Sequence, residues 1–179
     1  IRNCDWSSDV CSSDLYNLGN YINSVTGRNM LLWNGGCHVH EKFSVEAIVK
    51  LKQEHPEAVV MAHLECKAPV LAVADVKGST ATMLHYAQEH PEIKEYIIAT
   101  EAGILHELER NCPDVIFYPV PPEVSEGGIG CSCNECEYMK MNTLKKIYNA
   151  LKFGWPTVEV AEDIAKDAVK PIEKMLSLS

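Results

Sequence analysis

Three thiols fall within the six residues Cys131-Ser132-Cys133-Asn134-Glu135-Cys136, behind a Gly-rich loop and ahead of a helical stretch. Such a cluster can bind a metal or exchange a disulfide. Zinc would ask for four ligands, whereas an iron–sulfur cluster can gather cysteines from distant parts of a chain. A second thiol motif is Gly35-Gly36-Cys37-His38-Val39-His40-Glu41. Its two glycines let the backbone turn tightly or approach a ligand, and a thiol follows with two imidazoles. The residues alone leave two readings open: a metal or cluster ligand in a polar setting, or a small apolar Cys packed under a loop with its histidines in solvent. His63-Leu64-Glu65 closes an apolar run, and residues two apart on a strand share a face. The pair can perform acid–base work or simply end a strand with a solvated carboxylate. Gly78-Ser79-Thr80 opens a helix, where free N–H groups and hydroxyls make either a small anion site or an ordinary N-cap by Ser79.

Alternating apolar runs and punctuators would position these groups. Leu18 to Val25 reads as the end of a helix closed by Gly27, and Met30 to Trp33 as a short strand ending in Asn34-Gly35-Gly36. Ser44 caps a helix from Val45 to about Gln53, with Ala47, Ile48 and Leu51 on one face. Strands are expected at Ala58–Ala62, Tyr96–Ala99 and Val115–Tyr118, and helices at Thr80–Gln88 and Ala102–Arg110. A loop covers 119–130. Met141–Leu151 and Val160–Leu176 are the closing helices, with Pro171 expected to kink the second. An internal echo supports this layout: Gln53-Glu54-His55-Pro56-Glu57 recurs as Gln88-Glu89-His90-Pro91-Glu92. Each copy ends a helix, precedes a strand, and leads to a strand-end carboxylate, Glu65 or Glu101. A repeated helix–strand unit is what a parallel α/β sheet requires, and ligands of such sheets sit beyond the carboxyl ends of the strands. Trp33–Cys37, His63–Glu65 and Thr100–Glu101 share that edge.

Composition narrows the function classes. The 179 residues allow one core with a piece of another, and the net charge of −9 argues against a nucleic-acid partner. No run of about 18 apolar residues exists to span a membrane. The start of the chain lacks a charged-then-apolar leader, which points away from export and toward the cytoplasm. Residues 1–15 are set aside, because Asp5 to Leu15 back-translates into a common DNA-sequencing adapter and is expected to be an artefact. Omitting Arg2, Asp5, Asp9 and Asp14 takes the charge from −9 to −7. Six cysteines remain, Cys37, Cys66, Cys112, Cys131, Cys133 and Cys136. Without an export signal they point to metal or redox chemistry rather than a disulfide scaffold.

Taken in order, Asn17-Leu18-Gly19-Asn20-Tyr21-Ile22, Leu32 to Glu41, Ala62-His63-Leu64-Glu65-Cys66, Ala74 to Thr80, Ala99-Thr100-Glu101-Ala102-Gly103 and Cys136-Glu137-Tyr138-Met139-Lys140-Met141-Asn142 resemble quinolinate synthases from about Tyr16 to the C-terminus. The most specific parts are Cys-x-Val-His and Cys-x-x-Met-x-Met-Asn. The resemblance implies an α/β fold of three similar domains about a pseudo-threefold axis, with the N-terminal part missing. On this reading residues 16–40 end an upstream domain, 41–135 form a complete repeat, and 136–179 carry a ligand and the closing helices. It further implies a [4Fe–4S] cluster held by three cysteines, of which Cys37 is the second and Cys136 the third. His63 would hold a substrate carboxylate, Glu65 would exchange protons, and Ser79 and Thr80 would bind carboxylate or phosphate oxygens. His40 would line the same pocket. Cys131 and Cys133 resemble extra thiols that precede the third ligand in some members, suited to redox regulation or to no role rather than to cluster ligation, and Cys66 is not a ligand position.

The activity implied is condensation of iminoaspartate with dihydroxyacetone phosphate to quinolinate in NAD biosynthesis, the iminoaspartate coming from an L-aspartate oxidase or dehydrogenase. The sequence departs from the family pattern in three places. Leu64 and Glu137 stand where Pro is usual, and Cys131-x-Cys133 is one residue shorter than the usual spacing. The alternative from another class is a zinc-stabilised binding module on Cys131, Cys133 and Cys136, with Cys112 as a fourth thiol.

Overall fold

The computed structural model describes residues 12–13, 16–123 and 134–177. Four strands build a parallel sheet: β3 (Val59–His63), β4 (Val76–Gly78), β5 (Glu95–Ala99) and β6 (Ile116–Pro119), in the order β4-β3-β5-β6. Ahead of it, β1 (Ser12–Ser13) pairs in parallel with β2 (Leu31–Leu32), and α1 (Tyr16–Thr26) lies between them in sequence. Helices α2 (Val45–Glu54), α3 (Ala68–Val73), α4 (Thr80–Glu89) and α5 (Ile104–Asn111) alternate with the sheet strands.

Alternation along each strand divides the core in two. Val60, Ala62, Ile97 and Ala99 bury into one cluster with Ile48 of α2 and Val70 and Leu71 of α3. Met61, Tyr96, Ile98 and Phe117 bury into another with Met83 and Ala87 of α4 and Leu108 of α5. The sheet is therefore sandwiched between helical layers, an α/β architecture. This organisation has a consequence at the strand ends. The chain leaves β3 toward α3 on one face and leaves neighbouring β5 toward α5 on the other. Adjacent strands whose exits diverge open a crevice at their carboxyl ends. Ala62 pairs with Ala99, so His63 and Thr100 emerge side by side at that crevice.

Local chemistry sets the element boundaries. Ser44 and Ser79 cap α2 and α4 by accepting from the Ala47 and Thr82 amides. At the other ends, α2, α4 and α5 stop in one shared conformation. His55, His90 and Cys112 have φ/ψ of −129/75, −120/65 and −131/67. Their amides return to Leu51, Tyr86 and Leu108, and their carbonyls accept from Ala58, Ile93 and Val115 at 3.1–3.2 Å. Each is followed by proline, which cannot continue a helix. The echo read twice in the sequence is thus threefold, its third copy being Cys112-Pro113-Asp114.

Two regions, 68–78 and the C-terminal helices, differ from expectation. Between β3 and β4, Ala68–Val73 is a short helix with Pro69 in its first turn, and Val76–Gly78 is an edge strand against β3. The expected helix at Met141–Leu151 is instead α6 (Glu137–Lys140) and α7 (Leu144–Phe153). The break falls at Thr143, whose hydroxyl accepts from the Lys146 amide as a new N-cap. The last helix, α8 (Glu162–Leu176), starts two residues later than expected and runs through Pro171. Neither α6 nor α7 buries a residue, and Leu144, Leu151 and Val158 are 87, 84 and 86% exposed. No described helix is long and apolar enough to cross a membrane.

Candidate active site

The loop after β2 is pinned from beneath. Val39 and Phe43 are buried in the α2/α3-side cluster, and between them His40–Lys42 form a 3-10 turn. The Glu41 amide donates to the Cys37 carbonyl at 3.0 Å, and Asn17 Nδ2 donates to Glu41 Oε1 at 2.5 Å, which ties α1 to the loop. Cys37 is half-buried and packs against the same cluster. His40 is not a solvent-facing imidazole but is 5% exposed.

Around His40 the crevice residues converge. Its Nε2 lies 3.0 Å from Thr100 Oγ1, and its Nδ1 lies 3.2 Å from Glu65 Oε2. The second approach lies off the line a hydrogen bond needs, so Nδ1 is buried with no hydrogen-bond partner among the described residues. Its ring stacks on His63 at 4.7 Å between centroids. Burial, followed by the neighbouring His63 and His38, pushes the His40 pKa down to about 4. Burial also lowers that of His63, against an opposing pull from Glu65. Both imidazoles are therefore neutral near pH 7. The Glu65 amide donates to His63 Nδ1 at 3.3 Å, which assigns the His63 proton to Nε2. His63 ends β3, and Leu64–Glu65 already turn away. The two-residue strand spacing is thus not what joins His63 and Glu65; the turn and His40 do that.

The second thiol arrives from the far end of the chain. Cys136 is 9% exposed, belongs to the same core cluster and caps α6. Its amide donates to Glu101 Oε1 at 3.1 Å, while Glu101 Oε2 accepts from the Gly103 amide at 2.7 Å. Buried Asn134 accepts from the Ala102 amide at 3.0 Å through its carbonyl and donates through its side chain to the Val120 carbonyl. His38 and Tyr138 meet edge to face at 5.1 Å, so the two thiol-bearing segments also touch directly.

One cleft of about 620 Å³ is lined by Cys37, His40, His63, Glu65, Thr80 and Cys136, together with Thr100, Glu101 and Met139. The sequence did not single out Thr100 or Glu101 for any role beyond lying on that edge. Ser79 is not among the lining residues; its hydroxyl is occupied as the N-cap of α4. Cys66 is fully buried, donates to the Ala99 carbonyl at 3.4 Å and is pushed up to about 12 by burial, so it stays a thiol. Cys112 lies in the α4/α5-side cluster, with the sheet between it and Cys136. It cannot complete a zinc site there. Cys131 and Cys133 lie outside the described residues.

The donor set suits a soft or borderline metal group. Ligand atoms of Cys37, His40 and Glu65 lie within 4.8 Å of one another, a second thiol lines the same cleft, and a buried imidazole nitrogen faces it without a hydrogen bond. Thiolates select zinc, copper(I) and iron–sulfur centres.

Residues 10–177 match the family model described as Quinolinate synthetase A protein (NadA). Proteins named quinolinate synthase from Nostoc punctiforme, Microcystis aeruginosa and Chloroherpeton thalassium are 47, 44 and 44% identical over 163 residues, 91% of this chain. Those residues cover 48, 49 and 49% of the relatives, so the chain spans about half the length of the curated proteins it matches. With the match running through both thiol segments and the crevice between them, the chain belongs to the quinolinate synthetase A family.

Proposed function

We propose that the protein of which this chain is a part is a quinolinate synthase, condensing iminoaspartate with dihydroxyacetone phosphate. The observation that carries this reading is that Cys37 and Cys136, far apart in sequence, line one cleft with His40, His63, Glu65 and Thr80. Cys37 and Cys136 would hold two corners of a [4Fe–4S] cluster, and a third cysteine would come from the other half of the full-length protein. When bound, such a cluster supplies a Lewis acid, through an iron without a thiolate, that favours loss of a hydroxyl as water.

The chain's own residues account for the remaining chemistry. Neutral His63 offers its Nε2–H to a substrate carboxylate without adding charge. Glu65, whose carboxylate is partly exposed, takes a proton at one oxygen during dehydration and returns it to the next intermediate. His40 is oriented by Thr100 and places its other nitrogen 3.2 Å from Glu65 at the cleft wall. Thr80, at the first turn of α4, presents its hydroxyl to carboxylate or phosphate oxygens, helped by the free amides of the helix start. Ser79 contributes by fixing that helix start. Iminoaspartate would be delivered in the cytoplasm by an L-aspartate oxidase or dehydrogenase, since an imine hydrolyses quickly when left free. Cys131 and Cys133 remain candidates for redox regulation.

Anaerobic iron–sulfide reconstitution followed by a quinolinate assay tests the reading. The full-length protein is expected to be brown, oxygen-labile and active, and the 179-residue chain alone inactive. Colourless full-length protein with stoichiometric zinc, or full turnover by the chain alone, would overturn it.

A further inference from the structure

We propose that Glu101 is a positioning residue for Cys136, and that Thr100 and Glu101 together make the end of β5 a clasp joining the two thiol segments. The inference rests on Cys136 being a cluster ligand, and it adds how that ligand is aimed. Thr100 is 2% exposed and reaches back to His40 on the Cys37 side. Glu101, the next residue, reaches forward to the Cys136 backbone. Both lie just past the end of β5, and their side chains reach opposite segments, so one dipeptide holds a segment on either side.

The Glu101 carboxylate is spent on backbone amides. One oxygen takes the Cys136 amide and the other takes the Gly103 amide. The carboxylate bridges the two amides at 3.1 Å to Cys136 and 2.7 Å to Gly103, and a carboxylate acceptor makes stronger bonds than a neutral one. It holds the peptide plane before Cys136, while the Cys136 carbonyl accepts from the Lys140 amide at 3.0 Å, so both flanking planes, and with them the Cα–Cβ bond that carries the thiol, are set. The glycine at 103 is part of the device. A Cβ built there would lie 2.6 Å from Glu101 Oε2, so any other residue forces the carboxylate to shift from this position. No neighbouring cation balances the carboxylate among the ion pairs of the described residues. The amides are its counter-groups, and outer groups of this kind govern how firmly metal ligands are held.

Two variants and two readouts test the clasp. In the 179-residue chain with isotope-labelled cysteine, the Cys136 amide should be protected from hydrogen exchange. Glu101→Ala and Gly103→Ala should both abolish that protection, and Glu101→Gln, which keeps one acceptor oxygen, should restore part of it. In the reconstituted full-length protein, both alanine variants should lose iron to a chelator about tenfold faster and shift the paramagnetic spectrum of the reduced cluster. An unprotected Cys136 amide in the unaltered chain would overturn the clasp. So would unchanged iron retention and spectrum in both variants. A Cys136→Ala protein that keeps its full cluster would instead sink the ligand assignment, while the amide-exchange result would still stand on its own.

Discussion

Cys37 and Cys136 reach one cleft by contrasting means. The Cys37 segment is nailed down by apolar side chains: Val39 and Phe43, on either side of the 3-10 turn, are 4 and 1% exposed within the main core. The Cys136 segment is tied by hydrogen bonds through Asn134 and Glu101. It then continues into helices with hardly a buried side chain. Burial of a large apolar side chain resists local opening about as strongly as the fold itself, whereas a few polar ties can open alone. One half of the cleft therefore rests on large apolar side chains, and the other on polar ties around the small buried side chain of Cys136. A site assembled from distant segments can thus be held by apolar packing at one end and by hydrogen bonds at the other.

The contrast can be broken at its strongest point first. Phe43→Ala should destabilise the chain by about 3–5 kcal/mol in urea or thermal unfolding, the usual cost of emptying a buried aromatic site. A cost under about 1 kcal/mol would mean that the Cys37 segment is not anchored in the core. Next in size is a pH effect. His40 has its pKa lowered from 6.5 to about 4 on folding, so between those values the unfolded chain binds the extra proton. Stability is full above pH 6.5 and falls as the pH drops toward 4, by up to about 3 kcal/mol. His40→Gln should flatten that slope, and an unchanged slope would show that His40 titrates freely. The smallest effect is expected on the other side. Leu151→Ser, at a residue 84% exposed on α7, should change the stability of the 179-residue chain by under about 0.5 kcal/mol. A loss of more than 1 kcal/mol would erase the distinction.

Legibility in the sequence followed the range of the interaction. Ser44 and Ser79 announced their helices because capping is decided within three residues, and the His-Pro echo announced parallel strands because it repeats. Val76–Gly78 was missed because a three-residue edge strand in Asp75-Val76-Lys77-Gly78 carries no period. The α3 helix was missed because six residues with Pro69 in the first turn give too short a pattern to tell helix from strand. The split at Thr143 could have been read from a hydroxyl three residues before Lys146, the same cap signal as at Ser44. At the site, Cys37 and Cys136 were paired only through family resemblance, since nothing local in either motif points to the other. The links of Glu65 to His40 and of Glu101 to Cys136 span contacts that only the folded sheet creates. The third copy of the echo was visible, at Cys112-Pro113-Asp114, but hidden by the substitution of Cys for His.

That thrice-used helix ending sits at the amino ends of the strands, on the rim opposite the cleft, and it sets the starting phase of each strand. The five extended residues of β3, roughly 16 Å, carry the chain from the turn at His55 to His63 itself. An amino acid inserted after Pro56 that entered the strand would turn over every side chain beyond it, carrying His63 to the wrong face without touching a single cleft residue. The chemistry at one rim is thus timed from the other. Tolerance to insertions in this protein should be read from where strands begin, not from distance to the reacting groups.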